Sequence, residues 1–280
     1  PREQTSAERE EMDVQFKELC DWLLKGLIDF NYICEGNLPA QANGTKVGQM
    51  QYDTIIVPNC LTIRSTTLEF LKNFAAKGGK VIFAGSLPEY VDAQENGAAK
   101  AFAAENAIVG WSKTQILKAL EANREIDLHN AYGERSDDTI YQLRDDGGIR
   151  WLFMAKTEDN PKYYFASSNA FTLTVKGEYA PELWNTVDGS VKALAAEYKD
   201  GKTLISLDIF AHDSILLKLV EGRSKAKAEE KKEREIIGEI GSKASVELAE
   251  PNVVLLDMPE YRLNGGEWRA KEEILRITDA

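Results

Sequence analysis

Near residue 130 the hydrophobic period of this chain changes, and that change restricts the possible folds more than any other feature. Upstream, Thr54-Ile55-Ile56-Val57 and Lys80 to Ala84 are short, nearly unbroken apolar runs, the pattern of strands covered on both faces. Helical spacing separates them. Thr5 and Glu8 have capping-box spacing ahead of Val14, Phe16, Leu19, Trp22, Leu23 and Leu27, which predicts a helix ending near 26–28. A second helix opens at Ser65 or Thr66 and closes at Gly78-Gly79. A polar, Ala-rich helix is expected around 93–106, and Ser112 caps another over 113–122. Short strands are expected at 30–34 and 125–129, with a turn at Asn43-Gly44. Alternating helices and buried strands predict an α/β domain with a mainly parallel sheet over residues 1–130.

Downstream, Thr139 to Leu143 and Arg150 to Ala155 alternate around Asp145-Asp146-Gly147-Gly148, a hairpin signal. More short strands follow at 162–167, 170–176, 178–184, 190–197, 203–209 and 213–220, parted by turns such as Asp188-Gly189 and Asp200-Gly201. That spacing predicts an antiparallel β-sandwich over 131–222. Residues 223–280 begin with the charge run 223–235, read as a solvated linker or helix surface. Strands at 245–248, 253–257, 261–263 and 274–277 would then start a further sandwich or form a packed extension.

The chain has 280 residues, with 34 Lys and Arg against 46 Asp and Glu, a net charge of −12. The acidic balance argues against nucleic acid or an anionic membrane as main partner. No run reaches the ~18 apolar residues that a membrane helix needs. The three cysteines, Cys20, Cys34 and Cys60, have neither disulfide-framework nor CxxC metal spacing and are read as reduced, mostly buried thiols of an intracellular-type domain. A cytoplasmic setting is expected from the reduced thiols, and the lack of an apolar signal segment at the start adds little to it. The chain opens without Met at a helix already under way, so an excerpt from a longer protein is expected.

Chemistry in a parallel sheet collects at the carboxyl ends of its strands. Cys60 follows strand 54–57 and Ser86 follows strand 80–84, so either could stand at a strand-to-helix turn as a nucleophile. The two histidines, His129 and His212, fall at the end of the α/β segment and in the sandwich, and no G-x-C-x-G or G-x-S-x-G elbow is present. A packed or merely exposed side chain is therefore the favoured reading of both. Gly78-Gly79 and Gly85 form no phosphate-binding fingerprint, so no cofactor is expected. Asp137-Asp138 and Asp145-Asp146 read as turn residues rather than metal ligands. Among 46 acids no pair can be nominated for glycosidic chemistry.

Sugars stack on exposed rings, and Trp111, Trp151, Trp184, Trp268, Tyr163 and Tyr164 are the candidates. For strand residues such as Trp151 the preferred reading is core packing. Trp184, at the end of the strand in Glu182-Leu183-Trp184-Asn185, is the best sugar-facing candidate.

Tyr52 to Pro58, Thr67 to Leu71 and Gly78 to Phe83 resemble the glutamine-amidotransferase-like accessory domain of large bacterial glycoside hydrolases. Such a domain serves for trimerisation in the family 42 β-galactosidases. Tyr141 to Arg144, Arg150 to Phe153 and Glu182 to Asn185 resemble the β-sandwich that follows it. Glu250 to Asp257 with Gly265 to Trp268 is similar to the entry of a later sandwich in α-L-rhamnosidase-like enzymes.

The resemblance implies a flavodoxin-like, class I amidotransferase-like first domain. It also implies a preceding catalytic (β/α)₈ barrel, absent from these 280 residues, that holds the carboxylates. Gly85-Ser86 stands where a true amidotransferase has its cysteine, so no catalytic residue carries over. The leading expectation is a non-catalytic accessory fragment of a glycoside hydrolase that assists assembly and frames the substrate cleft. Its partners would be the barrel, carbohydrate and further copies in a homo-oligomer. The alternatives are a free-standing carbohydrate-binding or scaffold module, and a small thiol hydrolase using Cys60.

Overall fold

The computed structural model describes residues 6–157, 169–228 and 257–278, with isolated positions between 238 and 255. The strands expected at 162–167, 245–248 and 253–257 lie wholly or largely outside the described residues, as do Tyr163 and Tyr164. The chain divides into two compact units, 1–229 and 230–280.

In the first unit, helix α1 (Ser6–Lys25) buries only Leu19 and Leu23, so one narrow stripe anchors it. Strands β1 (Thr54–Val57), β2 (Lys80–Ala84) and β3 (Ala107–Val109) form a parallel sheet in that order. Helices α2 (Ser65–Ala76), α3 (Ala98–Ala104) and α4 (Lys113–Ala119) lie between and after these strands. Ser112 Oγ accepts from the Gln115 N–H, so the expected N-cap of α4 is made. The sheet buries both faces. Val81 and Phe83 pack with Leu71 and Phe74 of α2 on one side, and Ile82 and Ala84 pack with Leu19, Leu23 and Ile116 on the other. The turn at Asn43-Gly44 joins two short antiparallel strands. No strand forms at 30–34. Phe30 and Tyr32 instead meet edge to face at 5.5 Å, and Tyr52 Oη donates to Asn31 Oδ1.

A small mixed sheet joins residues 62–63, 90–91 and 94–95, and the strands after residue 125 make two antiparallel sheets. One has the order β4 (Ile126–Asn130), β7 (Ala170–Lys176), β11 (Lys202–Asp208), β10 (Glu197–Lys199). The other has the order β5 (Thr139–Asp146), β6 (Ile149–Lys156), β12 (Ser214–Glu221), β8 (Tyr179–Trp184), β9 (Val191–Ala193). Leu128, Leu173 and Ile205 of the first sheet share one apolar cluster with Leu152, Met154 and Leu217 of the second.

Two strands depart from expectation. The strand at 125–129, placed by its period at the end of the parallel part, is β4 and pairs antiparallel with β7, Leu128 opposite Leu173. The run 190–197 is two strands in different sheets, because Leu194 and Ala196 between them pack against the core as the chain crosses over.

Charged residues tie the end of α1 to β4. Buried Arg124 donates through Nη1 to the Gly26 carbonyl and through Nε to Glu121 at 3.3 Å. Arg135 grips Asp127 with two hydrogen bonds of 2.7 and 2.8 Å, and His129 Nε2 lies 3.8 Å from the same carboxylate. Burial pushes the Asp127 carboxyl up, but Arg135, His129 and Arg124 outweigh it and hold it below the usual carboxylate value. A carboxyl depressed on folding adds stability above its unfolded pKa of about 3.9 and loses it as pH falls through the folded value. Asp127→Asn is therefore expected to cost about 1–2 kcal/mol at pH 7, the range of a partly exposed charged pair. Below pH about 4 it should also flatten the fall in stability. Urea melts at both pH values check this, and parallel acid limbs for the two proteins would contradict it.

In the second unit Tyr261 bridges Arg269, the Arg262 guanidinium lies 5.2 Å over the Trp268 ring, and Ile274–Thr278 is a short helix. The strand expected at 274–277 is replaced by this helix. Arg276 pairs with Glu272 and Glu273 at 3.4 and 3.9 Å, contacts that only helical spacing brings within reach.

Candidate functional site

The parallel strands do place Cys60 and Ser86 in loops at their carboxyl ends, after β1 and β2. Between them sits Asn59, whose Oδ1 accepts from the Ser86 N–H and whose Nδ2 donates to Gln15 Oε1 of α1 at 2.6 Å. Gly85 has φ +84°, and a Cβ there would run into the Asn59 carboxamide, so glycine is required on both counts. His129 is in β4 beside Asp127, and His212 is in the turn between β11 and β12, so both histidines belong to the antiparallel sheets. Burial, with the charge of Glu35, pushes the Cys60 thiol up to about 11. Against its starting value of 9.0 this leaves about 100-fold less thiolate at a given pH. The thiols are less buried than expected, Cys20 and Cys60 half-buried and Cys34 exposed, so alkylation followed by mass spectrometry at pH 7.5 should modify Cys34 well before Cys60. The reverse order would revive Cys60 as a nucleophile.

An open cleft at the start of α2 is lined by Glu35, Arg64 and Asp92. Its acids are already engaged. Glu35 accepts from the Arg64 N–H, and Asp92 accepts from the Ser65 N–H at 2.9 Å. Among the described residues no group of three or more His, Cys, Asp or Glu is placed to hold a metal ion, and no helix is long and apolar enough to cross a membrane.

The five-stranded sheet offers a different kind of surface. Leu152, Met154, Leu217 and Leu219 point into the core, so period-2 alternation turns Trp151, Phe153, Leu216 and Lys218 outward. Register lines these up in rows across the strands. One row runs Arg144, Trp151, Lys218, Glu182, Ala193. The next runs Gln142, Phe153, Leu216, Trp184, Val191. Trp151 and Trp184 meet edge to face, with ring centroids 5.0 Å apart and planes at 79°. Lys218 Nζ stands 5.7 Å over the Trp184 ring. Glu182 Oε2 accepts from Trp184 Nε1 at 3.2 Å and lies 3.6 Å from Lys218 Nζ. These polar contacts fix the rotamer of Trp184 while leaving ring surface in solvent. Phe153 and Val191, 41% and 49% exposed, extend the platform.

Trp151 and Phe153 are thus not the core residues that their strand suggested. The alternation of Leu152 and Met154 against them carries that information, and only the pairing register shows that they adjoin Trp184. Trp111 lies in the parallel part, 5.5 Å from Trp22, with its Nε1 donating to Glu18. Trp268 is in the second unit and 65% exposed.

No family model matches the sequence, and no curated relative matches it. Solved structures do match, glycoside hydrolases among them. A rhamnosidase from Novosphingobium sp. PP1Y aligns over 70% of this chain and 20% of its own, at 15% identity and a TM-score of 0.50. An alpha-L-fucosidase isoenzyme 2 from Paenibacillus thiaminolyticus aligns over 72% and 44%, at 10% identity and a TM-score of 0.46. The apo exo-carrageenase GH42 from Bacteroides ovatus aligns over 73% and 26%, at 14% identity and a TM-score of 0.43. The chain therefore spans less than half the length of each of these structures. At such identities the likeness concerns the fold alone.

Proposed function

We propose that this chain is a non-catalytic accessory portion of a glycoside hydrolase, and that it meets carbohydrate on the outer face of its five-stranded sheet. The observation that carries the carbohydrate reading is the Trp151–Trp184 pair, held in place by Glu182 and Lys218 and flanked by exposed Phe153. Aromatic rings give large contact area at little entropy cost, and a neighbouring row of hydrogen-bonding side chains supplies orientation. The hydrolase reading is supported by the fold likeness to a rhamnosidase, of which the chain covers a fifth.

On this reading the parallel part is the amidotransferase-like domain and the two antiparallel sheets are the sandwich that follows it. A catalytic barrel precedes them in the parent enzyme. The chain helps to assemble that enzyme as an oligomer and to frame its cleft. The test is to incubate the purified chain with aryl rhamnosides, fucosides and galactosides, and to titrate it with the corresponding oligosaccharides. Binding without turnover is the expected result. Turnover that survives purification to homogeneity would overturn the non-catalytic reading, and absence of any binding would overturn the carbohydrate reading.

A further inference from the structure

We infer that the saccharide taken by this face is anionic, carrying carboxylate or sulfate, with Arg144 as the residue that reads its charge. The inference rests on the carbohydrate reading above. Arg144 and Trp151 are directly opposite each other across β5 and β6. Tyr141 and Leu143, its alternating neighbours, pack against the core, so Arg144 shares the outer face with Trp151. It is exposed, and among the described residues its side chain has no ion-pair or hydrogen-bond partner. The other charges in its row are already matched, Lys218 with Glu182 at 3.6 Å.

One guanidinium therefore stands uncommitted at the margin of an aromatic platform. Its planar fork suits a carboxylate or sulfate two-pronged. Five strands at ~4.8 Å spacing make a row roughly 19 Å long, room for several sugar rings laid across the strands from Arg144 toward Ala193. Asp146, two residues along β5 on the same face, works against an anion there, so the guanidinium contact has to outweigh it. The chain's −12 charge opposes such a ligand from a distance. Beyond ~8 Å it is screened at physiological ionic strength, so the local contact decides.

Calorimetric titration with matched pairs tests this: galacturonic-acid oligomers against their methyl esters, and sulfated galactan oligosaccharides against the desulfated backbone. The acidic member of at least one pair should bind about tenfold more tightly, and which pair does so identifies carboxylate or sulfate. Arg144→Gln should erase that preference and leave the neutral member's affinity unchanged, and Arg144→Lys should keep part of it. Trp184→Ala should weaken both members. Equal binding within both pairs, or a preference that survives Arg144→Gln, overturns the inference. If that equal binding still depends on Trp184, the carbohydrate reading stands without it. No binding by any member overturns both.

Discussion

Leu217→Ala is expected to lower the unfolding free energy by about 2–5 kcal/mol, the range for a large apolar side chain deleted from a rigid core. Leu217 is fully buried in the central strand of the five-stranded sheet, with Leu152 opposite on one side and Leu183 on the other. Its cluster also holds Leu173 and Ile205 of the facing sheet, so the cavity would weaken both sheets at once. Leu216→Ala, one residue away on the outer face, deletes a similar volume where solvent can fill the gap. It should cost about 1 kcal/mol or less, as surface-side substitutions do. Urea denaturation of both variants checks the pair. Equal losses would mean that the outer face is packed as tightly as the inner, which would leave no platform to bind anything.

Trp184→Ala should remove most of the chain's affinity for its saccharide. A tryptophan at the centre of a contact typically carries 2 kcal/mol or more, about 30-fold in Kd. Trp151→Ala should weaken binding less directly, because its edge buttresses the Trp184 ring at 5.0 Å. Trp184→Phe should retain part of the affinity, since it keeps a ring and loses only the Nε1 donor that orients it toward Glu182. Thermal stability should fall little in these variants, as the rings lie outside the apolar core. A fall in affinity matched by a collapse in stability would show that the tryptophans act by holding the sheet.

The elements of the first unit were legible where local chemistry agreed with the tertiary result. The runs at 54–57 and 80–84, the Ser112 cap and the Asp145 to Gly148 hairpin all declare themselves within a few residues. What failed was long-range pairing. Residues 126–130 have the apolar content that a parallel strand also shows, and their antiparallel partner lies more than 40 residues downstream. The split at 194–196 carries no glycine or proline, because Leu194 and Ala196 are needed in the core during the crossing. At Ile274–Thr278 an apolar-rich segment forms a short helix, with Arg276 at helical spacing from Glu272. The candidate site divides the same way. Trp184 was visible from its place at a strand end, whereas Arg144, Trp151 and Lys218 become its neighbours only through the register of three strand pairs.

The most direct test of carbohydrate contact on the outer face is an NMR titration of the isotopically labelled chain with the oligosaccharides named above, read at the indole N–H signals and backbone amides. The Trp151 and Trp184 indoles, with the amides of Phe153 and Lys218, are expected to shift together and saturate at one Kd. Shifts confined to the loops after β1 and β2, around Asn59 and Ser86, would move the site to the parallel sheet and contradict it.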